Sequence, residues 1–289
     1  MKITADLFSG RENPAWVPDA DEAANILREL SRMKPAIGAI TDGYQGLGYR
    51  GVIVEALSDT VAAKYDLPDT FRIGHVPGAD DVIEKLLRSM VKANVLDDDL
   101  RATVEQAHHL AAWRGETTEP AFEGLQAGRA AEQDEGKAPP PQCTVETAVF
   151  NPGFWNDPSH VSVNNCYNYA SNRRTDTFAQ PGRASGHPIT AYACDKVTAA
   201  ALSDGLHHHL DCFPDSEKPR WLVAMVVAPG YDYHWYRRQH GFWGHKPGQT
   251  PAKNTDNNGA VVVSPETCAR APYTKFCGYF YIPKSQKIR

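Results

Sequence analysis

The chain has 289 residues, enough for two domains or one large one, and 42 % of them are apolar, with 6 Trp, 12 Tyr and 10 Phe available for cores. A net charge of −5 and a pI near 6.1 argue against binding nucleic acid by phosphate neutralisation. No apolar run is long enough to predict a membrane span, and the opening MKITADLFSG lacks the pattern of a secretory signal, so a cytoplasmic protein is expected, with export by a signal-free route left open.

Residues 2–8, KITADLF, alternate as an opening strand, and SGRENP turns the chain. An amphipathic helix is predicted over 19–33. Asp19 or Asp21 can cap it, and Ile26, Leu27, Leu30 and Met33 share one face. The glycine-rich stretch 38–51 does not follow a strand and open a helix, as a phosphate loop would. It reads as a turn leading into the strand GVIVEAL. A second helix is predicted over 80–93, with Val82, Ile83, Leu86, Leu87, Met90 and Val91 at helical spacing, and a third over 97–113. His108 and His109 on the third point in different directions, which suits a metal poorly.

These elements predict a small α+β domain over 1–115 with no catalytic constellation and an unassigned protein partner. Residues 116–142 are rich in Pro, Glu and Ala and have a linker's composition. A second domain, 143–289, then holds all six cysteines: Cys143, Cys166, Cys194, Cys212, Cys268 and Cys277. No CxxC pair occurs. In a reducing compartment free, buried thiols are expected. In an oxidising one, Cys194/Cys212 and Cys268/Cys277 are the pairs nearest in sequence.

Within 163–174, VNNCYNYASNRR, Cys166 falls in the first turn of a predicted short helix that Asn164 or Asn165 can cap. A helix N-terminus lowers a thiol pKa, and a nearby Asn side chain can donate to an oxyanion. RWLVAMVVA, 220–228, reads as a buried central strand. DYHWYRR then alternates, with Asp232, His234, Tyr236 and Arg238 facing one way. A turn near 239–241 returns the chain through FWGHK, so His234 and His245 stand opposed or diagonal on a hairpin. One imidazole can act as base to Cys166 while the other orients it. Tyr167, Tyr236, Trp243 and Arg183 are the candidate substrate-binding residues.

Two further stretches attract attention. LHHHLDC, 206–212, offers His207, His209 and Asp211 or Cys212 to a metal, but consecutive histidines do not converge, and a solvated turn is favoured. NTDNNG places Asn254, Asp256 and Asn258 like half a calcium loop, but Pro265 stands where the bidentate Glu should be, so an Asx-rich turn is preferred.

A helix-borne cysteine, then a strand histidine, then a polar residue on the next strand resembles the papain-like amidases and peptidases, in particular the NlpC-type and CHAP-type enzymes. The resemblance rests on Cys166, His234 and His245, and departs in the flank NNCYNYA, where those families place a small residue. It implies a papain-like α+β domain with a Cys-bearing helix on an antiparallel sheet. It also implies a cysteine hydrolase acting on cell-wall peptide or another amide, without a cofactor, with Asn165 as an oxyanion contributor. The block NNCYNYA…DYHWYR…HKPG also resembles uncharacterised bacterial proteins and invertebrate shell-matrix proteins. The alternative is therefore a non-enzymatic matrix or interaction module whose Cys and His are structural or hold zinc or copper.

Overall fold

The computed structural model describes residues 1–55, 58–74, 79–95, 143–208 and 212–289. The expected third helix with His108 and His109, the stretch 116–142, and His209 and Asp211 lie outside these residues. The first part of the chain builds β1 (Lys2–Ala5), β2 (Ala15–Trp16), α1 (Ala20–Leu30), β3 (Ile37–Gly38), β4 (Val52–Glu55), α2 (Asp59–Tyr65), β5 (Thr70–Ile73) and α3 (Asp80–Lys92). Its strands form an antiparallel sheet in the order β2-β1-β4-β5-β3. Ile3 and Ala5 leave one face of β1 and pack with Leu27 and Leu30 of α1 and Ile83 and Leu86 of α3, all nearly inaccessible to solvent. The period of two on the strand meets the period near 3.6 on the helices. Asp19 caps α1, its carboxylate accepting from the Glu22 N–H at 2.8 Å.

Just after β1, Asp6 is buried between two buried guanidiniums, Arg50 at 2.5 Å and Arg72 at 2.8 Å. Burial pushes its carboxyl pKa up, but the two positive charges more than reverse this and hold it below the ordinary range.

The second part contains α4 (Pro152–Asn156), α5 (Cys166–Ala170), α6 (Cys194–Ser203), β6 (His207–His208), β7 (Trp221–Ala228), β8 (Asp232–Arg238), β9 (Trp243–His245) and β10 (Lys275–Ile282). The sheet order is β6-β10-β7-β8-β9, again antiparallel, and the expected α+β class holds. β7 lies at its centre, as its apolar run implies, and its side chains sort cleanly. Val223, Met225 and Val227 pack with Cys166 and Tyr167 of α5 and Val197 and Ala201 of α6. Ala224, Val226 and Ala228 face the other way, toward Tyr236, Val262, Tyr273 and Leu47.

Four cysteines are disulfide-bonded, Cys143 to Cys212 and Cys194 to Cys277, which corrects both the expectation of free thiols and the pairs suggested by proximity in sequence. The reason is tertiary. α6, which Cys194 opens, lies beside β10, which carries Cys277. Cys166 and Cys268 are free.

The two sheets meet around residues 9–11. The Asp232 carboxylate accepts from the N–H groups of Ser9 (2.6 Å) and Arg11 (3.0 Å) and from the Tyr273 hydroxyl (2.5 Å). The Gly10 carbonyl accepts from Asn165 Nδ2, Gln180 Nε2 and the Tyr233 hydroxyl. A Cβ on Gly10 would lie 2.5 Å from the Tyr233 carbonyl oxygen. Gly10→Ala is therefore expected to lower the unfolding free energy by about 1–3 kcal/mol, because the close approach leaves the added atom no room. Urea denaturation of the full chain measures this, and an unchanged midpoint would show that the junction yields without strain.

Candidate functional site

The β8–β9 hairpin pairs Tyr236 with His245 and Arg238 with Trp243, so His234 and His245 are diagonal neighbours on one face. They meet: His234 Nε2 lies 2.8 Å from His245 Nδ1. His245 Nε2 lies 2.9 Å from the Thr255 carbonyl oxygen, which can only accept. That fixes the tautomers. His245 carries its proton on Nε2 and accepts at Nδ1, so His234 donates from Nε2 and leaves Nδ1 as a bare lone pair. No donor among the described residues reaches that Nδ1. Burial drives the His234 pKa well below the ordinary value, and the neighbouring His245 adds to it. Burial likewise drives His245 down to about 3, with help from the Lys253 charge. Both imidazoles are neutral at ordinary pH.

Cys166 is fully buried on the other side of β8. It packs with Tyr233 and Trp235, whereas His234 packs with Tyr236, His245 and Tyr273. Adjacent residues on a strand point to opposite faces, so the sheet stands between the thiol and the imidazoles. The structure joins the two histidines and does not bring the cysteine to them. The expected helix does start at Cys166, but it has only five residues, too short for a strong terminal field. Burial instead pushes the Cys166 thiol pKa well above the ordinary range, and the charge of Asp232 pushes it the same way.

The other expected site residues also have internal partners. Asn165 caps the helix, its Oδ1 accepting from the N–H groups of Tyr167 (3.0 Å) and Asn168 (3.1 Å) while Nδ2 donates to Gly10 and Ala179 carbonyls, so no donor remains for an oxyanion. Tyr167 is buried, donating to Asp204 and accepting from Gln286. Tyr236 and Trp243 are buried in the opposite core, Trp243 stacked on Tyr279. Arg183 is exposed and pairs with Glu12 at 2.8 Å. Asp256 closes an Asx-type turn, accepting from the N–H groups of Asn258, Ala260 and Ala269. Cys212 is disulfide-bonded. Among the described residues, no three His, Cys, Asp or Glu side chains converge to hold a metal.

Sequence reading missed two buried groups. Asp232 was assigned only a strand face, yet it anchors residues 9–11. Lys246, a residue type usually found at the surface, is fully buried, its ammonium donating to the carbonyls of Val161, Asn164 and Gly248. Burial lowers its pKa to about 7. Neither has a local sequence signal, because all of their partners except Gly248 lie far along the chain.

No family model matches the chain, and no solved structure matches it. It is similar to the insoluble matrix shell protein 1 of Ruditapes philippinarum, 46 % identical over 140 residues, which is 48 % of this chain and 93 % of that protein. This overturns the expected cysteine hydrolase and its peptide or amide substrate in favour of the matrix-module alternative, and nothing found supports the papain-like resemblance. The cytoplasmic expectation falls with it, since two disulfides suit an oxidising compartment. No helix among the described residues is long and apolar enough to cross a membrane. At that identity, over nearly the whole of the relative, the chain belongs to the family of insoluble matrix shell protein 1.

Proposed function

We propose that the protein is a non-enzymatic module of an extracellular, insoluble matrix, in which the Cys–His block is scaffold rather than machinery. The observation that carries this reading is the 46 % identity across 93 % of a shell-matrix protein. The block's own chemistry agrees. A thiol raised by burial is a poor nucleophile, and imidazoles held neutral and bonded to each other serve the hairpin's packing. In this reading the two sheets are two lobes of one module, held together by Asp232 and Asn165.

The test has two parts. Oxidised full-length protein is incubated with the insoluble residue of demineralised shell and sedimented, and retention in the pellet is expected. In parallel, the folded protein is treated with iodoacetamide at about pH 6.5, and Cys166 is expected to stay unmodified. Protein that remains in the supernatant, or rapid alkylation of Cys166 accompanied by amide hydrolysis that Cys166→Ser abolishes, would overturn the proposal.

A further inference from the structure

A cleft of about 430 Å³ opens at the junction of the two lobes, away from the histidine pair, and its size falls within the range of ligand clefts. One wall is the outer face of the first sheet, where Lys2 and Thr4 point away from the core side that holds Ile3 and Ala5. Thr4 is paired across the ladder with Ala15, whose small side chain leaves the floor open. The other wall comes from the segments on either side of α5, including Ser162, Thr177 and Phe178, together with Gln249.

The charged groups in these walls already have partners. Lys2 pairs with Glu55 at 2.8 Å and Glu12 with Arg183 at 2.8 Å, and Asp176 Oδ1 accepts from Asn164 Nδ2 at 2.7 Å and lies 2.9 Å from His160 Nδ1. What remains for a ligand is neutral hydrogen-bonding capacity beside a ring. Thr4 is 2 % exposed, and its Oγ1 has no partner in the protein. A buried hydroxyl left this way is costly, and a ligand group on the floor of the cleft would complete it once the Thr4 side chain turns toward the cleft.

The second wall is also strained. Asp176 and Phe178, both non-glycine, sit at φ 57° and 49°. A bulky residue in the left-handed region is an outlier that persists only where its surroundings over-determine it. Here they do. Asn164 Oδ1 accepts from the Asp176 N–H, the Phe178 N–H donates to the Val163 carbonyl, and Asn168 Oδ1 accepts from the Ala179 N–H. The asparagines around Cys166 therefore shape a cleft wall.

We infer that this cleft binds a strand of neutral polysaccharide, whose hydroxyl groups both donate and accept and whose rings pack on Phe178. An anionic chain would meet Glu12, Glu55 and Asp176, and a cationic one would have to compete with their existing partners. The inference gives the matrix reading a binding partner and rests on it only for the ligand's setting.

The test is calorimetric titration of the oxidised full chain with cellohexaose and with the hexamer of N-acetylglucosamine, the two probes distinguishing plain hydroxyl from acetamido recognition. Saturable binding of at least one is expected. Thr177→Trp, at an exposed position in the wall, should weaken it more than about tenfold. Thr4→Val should weaken it about three- to tenfold without lowering the melting temperature, because no protein hydrogen bond is lost. Asn25→Trp, on the exposed side of α1, should bind as the wild type does. Absence of saturable binding, binding indifferent to Thr177→Trp, or preference for polygalacturonate or a Gly-Ser hexapeptide would overturn the inference. Sedimentation with shell residue separates the two proposals. If wild type and Thr177→Trp are retained equally and no hexamer binds, the cleft fails and the matrix reading stands. If the hexamer binds in the cleft and shell residue retains nothing, the matrix reading fails alone.

Discussion

Acidification from about pH 7 to about pH 4.5 is expected to destabilise the fold steeply, through His234 and His245. Both are buried and neutral, with pKa values depressed below the unfolded value near 6.5, His245 to about 3. The sign follows from proton binding. Below the unfolded pKa the unfolded chain takes up protons that the folded chain refuses, so stability is fully present above about pH 6.5 and is lost as pH falls toward the folded pKa. Each histidine contributes a slope of up to about 1.4 kcal/mol per pH unit, so the pair can reach about 2.7. Over two units of pH the pair can remove about 5 kcal/mol, the lower end of a typical stability of about 5–15 kcal/mol. Urea denaturation at half-unit steps measures the slope. His234→Phe should reduce it to about half, since one titrating group remains, at some cost from the lost bond to His245. A midpoint that does not move between pH 7 and 4.5 would mean that the pair is protonated in the folded state.

Loss of the Cys194–Cys277 bridge is expected to remove about 4.5 kcal/mol. The bridge joins residues 83 apart. In the chain-entropy view, releasing a loop of that length restores about this much freedom to the unfolded chain. The bridge also pins the first residue of α6 to β10, whose Phe280 and Ile282 lie in the same core as Val197 and Ala201 of α6. The double variant Cys194→Ser/Cys277→Ser should therefore melt well below the wild type while still folding at low temperature. Mass spectrometry provides the companion measurement. Unfolded, unreduced protein should take up two alkyl groups, at Cys166 and Cys268, and reduced protein six. Uptake of six without reductant would remove the disulfides and with them the argument for an oxidising setting.

Much of the local structure was legible in the residues. Helices α1 and α3 lie within the predicted spans because their apolar residues recur at helical spacing and Asp19 stands at the first cap. RWLVAMVVA reads as a buried strand and is the central one. The hairpin turns where its glycine allows, and its histidines meet across the diagonal as the strand period permits. β10 was missed, although KFCGYFYI carries the aromatic density of a strand.

The sequence by itself determined that this is an α+β chain with amphipathic helices, a helix opening at Cys166 and a hairpin carrying His234 and His245, because propensity, capping and periodicity are local properties. Which side of the sheet each group occupies relative to α5 was decided only by tertiary structure. Alternation places His234 opposite Tyr233 and Trp235, but it does not say which face the helix covers. α5 covers the face away from the histidines, so a nucleophile, base and orienter in the right order are separated by a layer of backbone. The same holds for Cys194 with Cys277, for Asp232 with residues 9–11, and for Lys246 in its three carbonyls. All of these partners except Gly248 are tens to hundreds of residues away, and only the packing of whole elements brings them within bonding distance.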